Sequence, residues 1–263
     1  MSYVAIALIV FVCVFISALL TMFFRAMLPH HHLSQDTKDV VNLSMGLIAT
    51  MAALVLGMLT ASAKTSFDQA NSGIQQSASN LIQLDHILAR YGPETKPIRD
   101  RLRRLVAIRI NQLWPEEYSP SEKLETPEGK VGDEGVVAEG KEGENMEDAI
   151  RKLSPRNETQ REFQSRALQF MRDLAGTRWL LFVEALNPMP KPFLVVLVFW
   201  LCLLFAGFGL YAPRNATVGV SFLLCAVAVS SAIFLILEMN QPFEGLIKIP
   251  SAPLRFALFR LGQ

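Results

Sequence analysis

The sequence predicts an all-α integral membrane protein, with four transmembrane helices and long helical cytoplasmic extensions, and three observations lead there. Hydrophobic residues make up 51% of the 263-residue chain, yet 25 Lys and Arg and 24 Asp and Glu are present, so charged and apolar sequence must be segregated. Four charge-free windows result, 3–24, 40–63, 193–212 and 215–237, each of roughly the 20 residues a helix needs to cross about 30 Å of hydrocarbon. Open strands cannot satisfy their backbone in lipid, so the windows are read as helices.

The first window has no Lys or Arg before it, outruns a signal-peptide core and lacks a small-x-small cleavage site. It reads as an anchor, and 1–63 as the first transmembrane hairpin. Four crossings place the N-terminus, the 64–191 segment and the C-terminal tail on one side. That side holds 22 of the 25 Lys and Arg, which assigns it to the cytoplasm.

The second window runs past Lys64 without proline until Gly92 and Pro93. A single helix over 40–91, about 75 Å long, is expected. Along it Gly46, Thr50, Ala53, Gly57, Thr60 and Lys64 follow at steps of four and three, a heptad seam of small and hydroxylated side chains as in a coiled coil. The seam is expected to continue through Phe67, Asn71, Ile74, Ala78, Leu81 and Leu88, with Asp68 and Asp85 beside it. Two readings stand. Small residues let helices pack closely in lipid; the same stripe also suits the axis of a ring of copies, where a ring of Lys64 would favour anions.

Residues 64–114 are expected to carry this helix onward and then form a second one, with Ile98, Leu102, Leu105, Ile108 or Arg109, and Leu113 on its apolar stripe. Residues 115–148 carry twelve acids against three lysines and few large apolar side chains, which predicts a disordered acidic insertion; its oxygens miss the offsets of a calcium loop. Over 149–191 a returning helix is expected through Phe163, Phe170, Leu174, Leu181 and Ala185, broken by Pro188, Pro190 and Pro192. Residues 192–237 form the second transmembrane hairpin. The tail, 238–263, reads as an interfacial helix or as a strap on the cytoplasmic helices.

Glu238 follows the apolar run 233–237, where a carboxylate serves as a cation site, as a cap or as a hydrated interface group. His30, His31 and His32 lack the further ligands of a metal site, so no metal and no cofactor is expected. The net charge of +1 argues against nucleic acid as a partner. No nucleophile elbow, P-loop, zinc-protease or dinucleotide motif occurs, so no catalytic residue and no enzyme activity are expected.

The stretches "AKTSFDQANSGIQQSASNLIQLDHILARYGPE" (63–94), "FWLCLLFAGFGLYAPRNATV" (199–218) and "EMNQPFEGLIKIPSAPLR" (238–255) resemble the signature segments of the bacterial bestrophin-like membrane proteins, distantly suggestive of bestrophin channels. The resemblance implies a pentameric ion channel whose second span lines the pore, placed in the bacterial inner membrane with both termini cytoplasmic. Its partners would be the lipid bilayer, further copies of itself and inorganic ions. Asp68, Pro242, Phe243 and Gly245 fall on the family motif. The sequence departs from that pattern at Asn240, where an acid is expected, at Gln241, where a base is expected, and between Gly46 and Lys64, where no aromatic constriction occurs. An assembly or scaffold protein without transport activity is the alternative.

Overall fold

The computed structural model describes residues 3–24, 35–117, 133–186, 191–213, 215–243 and 245–263. Among them there are eight α-helices and no strand: α1 (Tyr3–Phe24), α2 (Gln35–Tyr91), α3 (Lys96–Leu113), α4 (Asp133–Arg151), α5 (Glu158–Leu186), α6 (Lys191–Tyr211), α7 (Ala216–Met239) and α8 (Ala252–Arg260). Four of them, α1, α2, α6 and α7, are long and apolar enough to cross a membrane. The histidines at 30–32 and residues 118–132 lie outside the described residues. The chain divides into two compact units, 1–67 with 188–247 and 68–187 with 248–263.

In the first unit α1 packs against α6 and α7. Its core is built from Val10, Val14 and Ala18 of α1, Met45, Ala52, Leu59 and Ala63 of α2, Leu197, Leu201 and Phe205 of α6, and Ala226, Ile233 and Ile236 of α7. Small residues set the helix spacing, because lipid tails offer no competing drive and backbones must come close to gain packing. At Gly209 an added Cβ would lie 2.3 Å from the Ala18 carbonyl oxygen, so only glycine permits this crossing of α6 over α1. Outward-facing Leu8, Ile16, Phe199 and Leu224 remain exposed, as suits helices whose solvent is hydrocarbon.

The second unit begins where α2 turns polar. Gly92, at φ +146°, ends the helix, and the last carbonyls are satisfied from outside it. Thr95 donates its hydroxyl to the carbonyls of Leu88 (2.5 Å) and Gly92 (2.8 Å), and the Gln160 amide donates to Tyr91 C=O at 2.8 Å. Asn157 caps α5 by accepting the Gln160 N–H at 2.7 Å. On α3 the buried stripe is Ile98, Leu102, Val106, Ile110 and Trp114 rather than the expected course through Leu105 and Leu113. Strict four-residue steps replace the mixed three-and-four pattern, and Trp114, just past the helix, closes the row.

The acidic insertion requires correction. Residues 115–117 form a 3-10 turn, and 133–148 belong to α4 rather than to a disordered segment. Composition across 115–148 hid Met146, which sits one helical turn before Ile150; both are completely buried where α4 packs on α5. Glu142 pairs with Arg101 of α3. Two apolar anchors on one stripe suffice to dock a helix whose remaining positions are solvated.

Candidate functional site

Within the first unit Gly46, Thr50, Ala53, Gly57 and Thr60 are all exposed, as is Lys64. Nothing lies within 4 Å of a Cβ built on Gly46 or Gly57, so neither glycine is required by the chain's own packing. The hydroxyls are satisfied locally: Thr50 donates to Leu47 C=O and Thr60 to Leu56 C=O, each at 2.8 Å. A membrane-embedded polar stripe thus carries no unpaired donor and remains open to another surface. Beside it, Leu43 and Leu54 are each 76% exposed. Met45, Ala52, Leu59 and Ala63 turn the other way, into the core.

Beyond Lys64 the heptad seam does not stay on the open side. Phe67 and Asn71 are half-buried, and Ile74, Ala78, Leu81 and Leu88 are buried inside the second unit. The cause is arithmetic. A heptad drifts about 20° around a straight helix, so six heptads from Gly46 carry the stripe about 120° away from its start. The expectation of one face running from Gly46 to Leu88 is corrected accordingly. Asp68 stays exposed.

Glu238 is 4% exposed, not a hydrated group at the membrane surface. One oxygen accepts the backbone N–H of Leu246 at 2.7 Å, pinning the loop that leaves α7. Gly245 makes this possible. Its φ is +94° and a Cβ there would come within 2.2 Å of the same carboxylate, so a side chain would expel the anchor. Pro242 and Phe243 are half-buried in this loop.

A second anchor escaped sequence reading. Asp85, 1% exposed, accepts two hydrogen bonds from Arg99, at 2.7 and 2.8 Å, and a third from the Gly262 backbone N–H at 3.1 Å. Arg99 also donates to Gln263 C=O at 3.3 Å. The bond to Asp85 holds the guanidinium pKa above its ordinary value, outweighing the opposing effect of burial. With Leu254, Ala257 and Leu261 buried, α8 packing on α3 and the Trp114 indole N–H donating to Ile249 C=O at 2.8 Å, the tail is a strap on the second unit. The sequence signal was an aspartate set in the apolar run around Leu81, Leu84 and Leu88.

Among the described residues no group of three or more His, Cys, Asp or Glu is placed to hold a metal ion. A family model described as the bestrophin-like domain matches residues 10–254. A crystal structure of a single-site variant of a bacterial bestrophin homologue from Klebsiella pneumoniae shares 14% identity with the chain, covers 98% of it and 99% of its own length, and superposes with a TM-score of 0.68. A second structure of the Klebsiella pneumoniae homologue, phased on zinc, shares 16% identity over 94% of this chain and 96% of its own, with a TM-score of 0.62. A structure described only as that of a membrane protein variant reaches 0.71 at 15% identity, over 97% and 96%. No curated protein matches the chain.

Proposed function

The chain belongs to the bestrophin-like family, and from that premise we propose that it assembles as a pentamer around α2 and conducts ions, or regulates their flux, across a bacterial inner membrane, with both termini in the cytoplasm. The observation that carries this reading is the stripe of Gly46, Thr50, Ala53, Gly57, Thr60 and Lys64, each exposed among the described residues. Small side chains along it leave room for an aqueous path, and hydroxyls bonded to their own helix present lone pairs toward that path. Lys64 stands at the end of the stripe, where a ring of ammonium groups favours anions over cations.

Reconstitution tests the reading. Purified protein in liposomes is expected to release trapped anions faster than trapped cations, and Lys64→Glu is expected to reverse that order. Absence of flux for both, across calcium, pH and voltage, contradicts conduction. Removing 118–132 leaves α4 and its buried Met146 in place; flux is expected to survive, whereas a scaffold acting through the acidic segment would lose its partner.

A further inference from the structure

Along α5 one face stays exposed while its chemistry changes. In the first part of the helix that face carries Arg161, Glu162, Arg166, Arg172 and Asp173; past Gly176 it carries Trp179, Leu180 and Val183. At 100° per residue all of these fall within about 140° of one another, so they belong to a single side. The change is complete within about one turn. Trp179, Leu180 and Val183 are 54%, 66% and 49% exposed, as open as Phe199 (58%) and Leu224 (63%) on two of the apolar spans.

The other side of the same turns is held by the protein. Leu181 and Thr177 stand 3.3 and 3.5 Å from a Cβ built on Gly73 of α2, and Arg178 Nη1 stands 3.6 Å from one built on Gly143 of α4. Phe182 is half-buried and meets Trp179 edge-on, with ring centroids 5.8 Å apart. Arg178 is half-buried beside the apolar face, and its Nε is enclosed without an acceptor among the described residues. A guanidinium keeps its charge, so this fork calls for an anion. Among the described residues of the second unit, other large apolar side chains are exposed only at Phe256 and Phe259 of α8, where the Arg260 guanidinium lies over the Phe256 ring at 5.7 Å.

An apolar patch of this kind marks a surface that meets something other than water. Four residues separate Leu186 from Lys191, where α6 begins, a link of at most about 18 Å when fully extended. A helix tied so closely to a span ends beside the bilayer surface, where Trp is favoured because its ring is apolar and its N–H is not. We propose that Trp179, Leu180 and Val183 insert into the boundary of the leaflet from which α6 starts, and that Arg178 beside them binds the phosphate of an anionic phospholipid. A planar fork suits phosphate oxygens, and the face ahead of Gly176 stays charged because it stays in water. The inference needs α6 to be a span and does not depend on how copies assemble or on conduction.

The test uses the full chain in lipid nanodiscs, with Cys13, Cys202 and Cys225 replaced by alanine. Val183→Cys carries a bimane on the apolar part of the face and Ser165→Cys carries one on its charged part. Phospholipids brominated near the headgroup end of the acyl chain quench only probes that they touch. Strong quenching is expected at Val183→Cys and none at Ser165→Cys. At equal bromolipid fraction, phosphatidylglycerol is expected to quench the Val183→Cys probe about two- to fivefold more than phosphatidylcholine, a preference kept by Arg178→Lys and lost in Arg178→Gln. An unquenched, red-shifted probe at Val183→Cys puts the face in water, and an unquenched, blue-shifted one puts it under protein, another copy included; either overturns the insertion. Equal quenching by the two lipids, or a preference that survives Arg178→Gln, overturns the phosphate site.

Discussion

The two parts of α2 present the same geometry to opposite demands. In the first unit its buried side is apolar, alanines at 52 and 63 alternating with the larger Met45 and Leu59, and its open side mixes Gly46, Thr50 and Gly57 with the large exposed side chains of Leu43 and Leu54. In the second unit the buried side includes a charge, with Leu84, Asp85 and Leu88 fully enclosed, while from Gln69 to Gln83 the exposed positions are all glutamine or serine, with Asp68 before them and His86 and Arg90 after. The difference follows from solvent. In lipid, association depends on close backbone approach and satisfied polar groups, so what matters is which positions are small. In water, burial of apolar surface supplies the drive, so what matters is which positions are large, and the open side must then remain soluble.

Gly209→Leu drives a side chain into the Ala18 carbonyl and is expected to abolish accumulation of folded protein in membranes, read by detergent-solubilised size exclusion. Gly57→Leu, with open space around it, is expected to leave the monomer folded and to remove flux. Should the two variants behave alike, the open stripe is part of the chain's own core and the contrast fails.

In the second unit Asp85→Ala leaves the half-buried Arg99 guanidinium without its carboxylate and strands the Gly262 N–H, and is expected to cost about 3 kcal/mol in denaturant unfolding. The same substitution is expected to free the tail, read as faster amide exchange from Leu254 to Gly262. Replacing both Asp85 and Arg99 by leucine is expected to recover much of the loss, because no charge is then stranded. Leu84→Ala is expected to cost about 2–5 kcal/mol, and Gln83→Ala, next to it on the open side, within about 0.5 kcal/mol of zero. A large loss at Gln83 in the monomer would reverse the assignment of sides. Gly245→Ala is expected to cost about 1–3 kcal/mol through its positive φ and its clash with Glu238, read as a lowered Tm without a change in native mass.

Much of this fold was legible because membranes simplify reading. Charge-free windows of the right length mark α1, α6 and α7 to within a few residues, and the absence of proline from Val40 to Tyr91 predicts the unbroken α2. Less legible was everything set by distant partners. Asp85 meets Arg99 fourteen residues on and Gly262 at the far end of the chain, and no local pattern joins those positions. Glu238 looked like a surface carboxylate because its acceptor role depends on a loop backbone with positive φ at Gly245. In α4, two buried side chains four residues apart outweighed an acidic composition. The seam went astray for a different reason: a heptad read on paper stays on one face, whereas a straight helix turns it steadily out of view.

One measurement reaches the central claim directly, a cryo-EM map of the full-length protein in lipid nanodiscs. The prediction is a closed ring of copies with α2 innermost and Gly46, Thr50 and Gly57 turned toward a water-wide lumen. A map showing a single chain, or copies joined through other helices with the Gly46 to Lys64 stripe turned outward to lipid, would contradict it.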